Sequence, residues 1–215
     1  MATRPCFRPL ENVVGYKTVE SGPFVWNGGF ALSQKQKNVV ALHEAIRKAD
    51  PSAKVLEISD RSLQPLGVSL SIPHLRMHCH GAPCMIESVF LASQIFAGGV
   101  GPFPRLCSQC ACDVALFVGE VLGDPHVVGF ELDGERWDAK SRLAFFFHLY
   151  LKALGDNPEL ADGLMEYDAF TDIEFNPKRQ INCQAAAAAF YVSLRSQNIL
   201  EWAMQAQENL LCICR

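Results

Sequence analysis

The chain has 215 residues, 49% of them hydrophobic and 20% charged, with a formal net charge of −4. That balance describes a globular protein long enough for a complete core and excludes a disordered chain. The negative charge argues against coating nucleic acid through a broad basic surface, and the lack of a run of about 18 apolar residues excludes a membrane span.

The spacing of Val39, Leu42, Ala45 and Ile46 predicts a helix over residues 33–48, with Ser33 as cap and Gln36 completing a capping box. Pro51 closes it, and residues 54–58 read as a short strand. If helical, residues 83–96 place Glu87, Phe90, Leu91 and Gln94 on one face, because residues three, four and seven apart stack along the helical repeat. Gly98, Gly99 and Gly101 lead to Arg105, either as an anion-binding turn with a cation for phosphate or as a plain connection. Residues 126–132 form a second strand ended by Asp133-Gly134, and Trp137 beyond it suits either the core or a stacking surface for a base. Helices follow over 139–154, 157–166, 183–196 and 199–210. His43, His148 and the cluster of Phe145, Phe146, Phe147 and Tyr150 fall in apolar helical patterns and read as packing residues. The predicted fold class is α+β, a helix-rich single domain over residues 1–215 with a small sheet or hairpin.

Residues 167–185 are the most informative stretch. Asp168, Asp172, Glu174, Asn176, Lys178, Arg179, Asn182 and Gln184 crowd a connector anchored by Phe170, Ile173 and Phe175. Such a segment is either a binding surface held by a scaffold or a turn closed by its own side chains around Asn176 and Pro177. Glu87 poses a similar choice. Among apolar neighbours its carboxyl is desolvated and suited to proton transfer, whereas in a first helical turn facing water it only complements the dipole.

Nine cysteines include Cys79 and Cys84, flanking His80, and then Cys107, Cys110 and Cys112. Together with His78 they furnish enough soft ligands for zinc, but the spacing is irregular. Free, mostly buried thiols are the expectation, with no metal and no cofactor. The opening stretch has no long apolar secretory segment, which predicts a cytoplasmic protein. P-loop, His-Glu-x-x-His and Gly-x-Ser-x-Gly signatures are all lacking from the sequence.

The segments PCMIESVFLASQIFAGG and YDAFTDIEFNPKRQINCQAAAAAFYVSL resemble the NADAR family, most closely the branch found beside DarT-type toxins that attach ADP-ribose to DNA. FRPLENVVGYKTVESGPFVWNGGFALSQKQKNVVALH and GERWDAKSRLAFFFHLYLKAL extend the likeness in the same order over most of the chain. The resemblance implies an ADP-ribosyl hydrolase that cleaves the N-glycosidic bond between ADP-ribose and guanine, in DNA or a nucleotide, acting as an antitoxin in a DarT-type toxin context. It puts Glu87 on the family's helical glutamate and Asn182 on the asparagine after the acidic segment. Leu91 and Gln94 depart from it, standing where the family has glutamine and lysine. The family lysine attacks the anomeric carbon as an amine, which Gln94 cannot do. Lys35 or Lys37 replaces it, or the carboxylates act alone, or the chain binds ADP-ribosylated nucleic acid or a toxin partner without turnover.

The expected site therefore has Glu87 as acid or base, Asp172 and Glu174 orienting ribose hydroxyls or water, and Gln94, Asn176, Asn182, Trp137 and Arg105 as ligand contacts. It is expected in a cleft between the Glu87 helix and the 167–185 loop.

Overall fold

The computed structural model describes residues 1–122, 126–176 and 183–214. Strands β1 (Pro5–Pro9) and β2 (Tyr16–Glu20) precede helix α1 (Leu32–Ala49), strand β3 (Val55–Glu57) and helix α2 (Pro65–Ser69). Next come strands β4 (Arg76–Cys79) and β5 (Ala82–Met85), helix α3 (Ile86–Ala92), strand β6 (Gln94–Phe96) and helix α4 (Ala111–Leu122). Strands β7 (Val127–Leu132) and β8 (Glu135–Asp138) lead into helix α5 (Arg142–Asp156). Helix α6 (Pro158–Leu164), strand β9 (Ala169–Thr171) and helices α7 (Gln184–Ser196), α8 (Leu200–Gln205) and α9 (Gln207–Ile213) follow. The fold is α+β. Its residues form two compact units, Met1–His74 with Pro158–Ile213, and Leu75–Asn157.

The first unit is built on a sheet of order β2-β1-β9-β3, in which β9 pairs antiparallel with β1 and parallel with β3. Alternation along a strand decides what α1 meets. Val55 and Ala169 turn to the same side of β3 and β9, and Val39, Leu42 and Ile46 of α1 pack on them together with Cys6, Phe24 and Ile173. The register then sets Glu57 beside Thr171. Helix α7 packs on β1 and β9, and its alanines at 185–189 are all buried, which explains why so many small residues run together. The cap of α1 differs from expectation. Ala31 is the capping residue and no side chain bonds there, so the Ser33–Gln36 box does not form. The helix expected over 199–210 breaks at Ala206, where the backbone is extended, into α8 and α9.

In the second unit, β4 and β5 form a hairpin, and β6, β7 and β8 a three-stranded antiparallel sheet. Asp133 and Gly134, with φ of 51° and 83°, make the tight turn that their dipeptide signals. Phe90, Phe130, Phe145, Phe146 and Trp137 stack into one aromatic core, with Phe130 and Phe145 centroids 4.8 Å apart. The helix considered over 83–96 is in fact β5, then α3, then β6. Gln94 lies in β6 opposite Phe130, so it does not share a helical face with Glu87. A 3-10 turn at Pro104–Leu106 precedes α4.

Candidate functional site

The first unit carries an acid in its core that sequence patterning did not single out. Glu57 is 1% exposed, because β3 is covered on both sides. Its Oε1 accepts from Ser59 Oγ at 2.6 Å and from Ile173 N at 2.8 Å, and its Oε2 accepts from Thr171 Oγ1 at 2.6 Å. With Glu57 ionised the Thr171 hydroxyl is spent as donor, so His43 Nε2, 3.0 Å from Thr171 Oγ1, must be the protonated nitrogen and donate to it. Burial pushes the His43 imidazolium down to about 4, and Arg47 adds to the effect, which keeps the ring neutral.

Asp172 joins this centre from the predicted loop. Its Oδ1 accepts from the backbone N–H of Glu174 at 3.1 Å and Phe175 at 3.2 Å, and its Oδ2 accepts from Gln184 Nε2 at 3.0 Å. Gln184 cannot flip, because its Oε1 takes the Ile72 N–H at 2.7 Å. Burial first, then the Glu57 charge, pushes the Asp172 carboxyl up to about 8 against those donors. Burial also raises Glu57. Two such carboxyls titrate as a pair, and burial favours the protonated form of each. Asp172 is 7% exposed with both oxygens engaged inside the protein, so it clamps the loop, and its oxygens are not turned out towards ribose hydroxyls as expected.

Glu174, like Asp168, is an exposed acid of the loop. Its Oε1 lies 3.0 Å from Lys35 Nζ and 3.6 Å from Arg61 Nε. Lys35, one of the two stand-ins for the family lysine, is thus held on a predicted site carboxylate, with its Nζ over the Trp26 ring at 5.9 Å from the centroid. The second amine, Lys37, is exposed. Asn176 is half-buried, while Asn182, Lys178 and Arg179 lie outside the described residues. Beside the acid pair, a pocket of about 230 Å³ is lined by His43, Glu44, Arg47, Glu57, Ser62 and Gln64.

The remaining predicted residues belong to the second unit. Glu87 stands in the first turn of α3 with an exposed side chain, and partial burial of its carboxyl raises its proton affinity. Gln94 is buried in β6. Arg105 is exposed in the 3-10 turn. Trp137 is 1% exposed, packed on Phe145 and His148, so it takes the core alternative and offers no face to a base. Gly99 N–H bonds to Phe96 O at 3.0 Å, and the glycine stretch closes a turn.

Cysteine chemistry also differs from expectation. Cys110 and Cys112 are joined by a disulfide, while Cys6, Cys79, Cys84, Cys107 and Cys183 are free and buried. The irregular spacing along the chain does not persist in space: Cys79, His80 and Cys107 offer ligand atoms within 4.8 Å of one another.

The fold and these groups define an α+β protein with two buried, hydrogen-bonded acids in its first unit and an amine held on the Glu174 carboxylate. Residues 2–215 match the family model of the DarT1-associated NADAR antitoxin, and the chain belongs to that family, NADAR-DarT1. It is accordingly an antitoxin of a DarT context. No curated protein matches it. Among the described residues no helix is long and apolar enough to cross a membrane.

Proposed function

We propose that this antitoxin hydrolyses the N-glycosidic bond between ADP-ribose and guanine in ADP-ribosylated DNA, which would place its work in the cytoplasm. What carries the proposal is the position of Lys35 Nζ, 3.0 Å from Glu174 Oε1. Gln94 has no amine to give, and Lys35 supplies one. With its proton passed to Glu174, the Lys35 nitrogen attacks the anomeric carbon. The bond to guanine breaks, its electron pair leaves with the base, and the base takes up a proton. Ring opening then gives an imine, which water cleaves to return the lysine and release ADP-ribose. Arg61 Nε lies 3.6 Å from the same Glu174 oxygen, and Asp172 fixes the backbone of Glu174 itself. Glu87 enters as acid or base on the family resemblance, supported by its raised proton affinity.

The test is incubation with an oligonucleotide carrying ADP-ribosylguanine, with and without borohydride. Release of free ADP-ribose and a reduced adduct on Lys35, both lost in Lys35→Arg, are the expected results, and Glu87→Gln should slow release. Gln94 favours a second reading, a module that binds the modified strand without turnover. A gel shift with no ADP-ribose released supports that module and overturns the hydrolase.

A further inference from the structure

The β4–β5 hairpin turns over His80 and Gly81, whose φ values of 50° and 79° are the paired left-handed angles of a two-residue turn. Its register sets Met77 opposite Cys84 and Cys79 opposite Ala82. Residues two apart on a strand face the same way, so Cys79 and Cys84 lie diagonally on one face. That face is the buried one, with the two residues 3% and 2% exposed. Cys107 ends the 3-10 turn of Pro104–Leu106 and is 3% exposed. The sulfurs of Cys79 and Cys107 and a ring nitrogen of His80 all lie within 4.8 Å of one another, and Cys84 Sγ is 3.7 Å from the Cys79 carbonyl.

We propose that Cys79, Cys84, Cys107 and His80 form a structural site for zinc or a closely similar soft divalent cation. A tetrahedral ion with sulfur at about 2.3 Å and nitrogen at about 2.0 Å separates its ligand atoms by somewhat under 4 Å. Modest side-chain rotations close the spacing of Cys79, His80 and Cys107 to that value, and Cys84, whose Sγ lies outside that group, completes the set by turning away from the Cys79 and Ala82 carbonyls. Thiolate and imidazole together select such a cation over magnesium or calcium, which take oxygen. Binding displaces the thiol protons to solvent and leaves an ion with four protein ligands, the closed set of a structural centre. A pocket of about 110 Å³ lined by His80, Cys107, Glu131 and Asp133 reaches the cluster and gives the ion a carboxylate-flanked entry. Cys110 and Cys112 are bonded to each other and stay out of the set. The ion would tie the hairpin to the 104–107 segment inside the second unit, a role separate from the amine–carboxylate pair of the first.

Reducing conditions also free Cys110 and Cys112, which with Asp113 make a second group of possible ligands. The whole chain is therefore purified under them both as the native protein and as Cys110→Ser/Cys112→Ser, stripped with chelator, and titrated with cobalt(II) and then zinc. One equivalent of cobalt should develop the thiolate charge-transfer and intensified visible bands of a tetrahedral site, and zinc should bleach them. Cys79→Ser and Cys107→Ser should each lose the charge-transfer intensity, while Cys6→Ser, a buried free thiol of the first unit, keeps it. If a serine variant does not fold, mass spectrometry of the native chain with and without chelator reads the bound ion directly. No tetrahedral cobalt spectrum at one equivalent, or an unchanged one in both serine variants, would overturn the proposal. So would a Cys79–Cys107 disulfide forming in place of metal uptake.

Discussion

The Thr171 hydroxyl donates a hydrogen bond to Glu57 Oε2 across the parallel β3–β9 pair at 2.6 Å, in register by the strand alignment itself. That contact lets a core carboxylate exist where an unpaired one would cost several kcal/mol. It also makes His43 Nε2 the donor to Thr171 Oγ1.

Glu57→Gln should fold, because the Thr171 hydroxyl can reverse, accept from the new amide and donate to His43. Asp172 should then hold its proton less tightly. A carboxyl raised on folding contributes stability that is present below its unfolded value and lost as pH rises through its folded value. For Asp172 that window runs from 3.8 to about 8. Urea midpoints across this range should fall less steeply in Glu57→Gln than in the native chain.

His43 has the opposite sign. Its imidazole drops from 6.5 to about 4 on burial, so its contribution is present above 6.5 and lost as pH falls towards 4. His148, pushed to about 4 by burial, adds in the same direction. The His43 contribution is on the order of 3 kcal/mol at about 1.36 kcal/mol per pH unit. His43→Gln should reduce the acid-side slope of denaturation midpoints, and an unchanged slope would refute the buried neutral ring.

Gly67 brings α2 against the back of β3. A Cβ there would lie 2.0 Å from Glu57 O and 2.4 Å from Ser62 Oγ. The backbone of β3 cannot yield without moving the acid pair, so Gly67→Ala should cost about 1–3 kcal/mol or more. Chemical denaturation measures the loss, and the pH dependence assigned to Asp172 should shift with it.

Overfilling α7 gives an independent check. Ala187 is fully buried in a helix whose neighbouring positions are buried too. Ala187→Leu should destabilise the protein by about 1–3 kcal/mol, read as a lowered melting temperature.

Long periodic segments were legible in the sequence. The stripe of Val39, Leu42 and Ile46, the strand ending at Asp133-Gly134 and the helices starting near 142, 158 and 184 all stand within a few residues of expectation. The 83–96 stretch failed because β5, α3 and β6 are each too short to show a period; Pro83 takes its state from its hairpin partner His78, and Gln94 from Phe130 farther along the chain. The loop acids were legible as polar crowding, but not their division of labour, with Asp172 turned inward and Glu174 outward. Lys35 meets Glu174 across 139 positions, a separation no local pattern reports. Glu57 did leave a signal: a lone glutamate in the apolar run of Val55, Leu56 and Ile58, where a charge implies a dedicated set of donors.

Strand β9 is the bridge of the first sheet, with β1 on one side and β3 on the other. During synthesis β1 and β3 emerge more than a hundred residues before it. The nascent chain therefore carries two open strand edges until residue 171 clears the ribosome, the kind of exposed edge that invites pairing with another polypeptide. Closure of the sheet, and with it the placing of Asp172 and Glu174 just beyond β9, waits on roughly the last fifth of the chain, so neutralising capacity in the cell should lag behind translation.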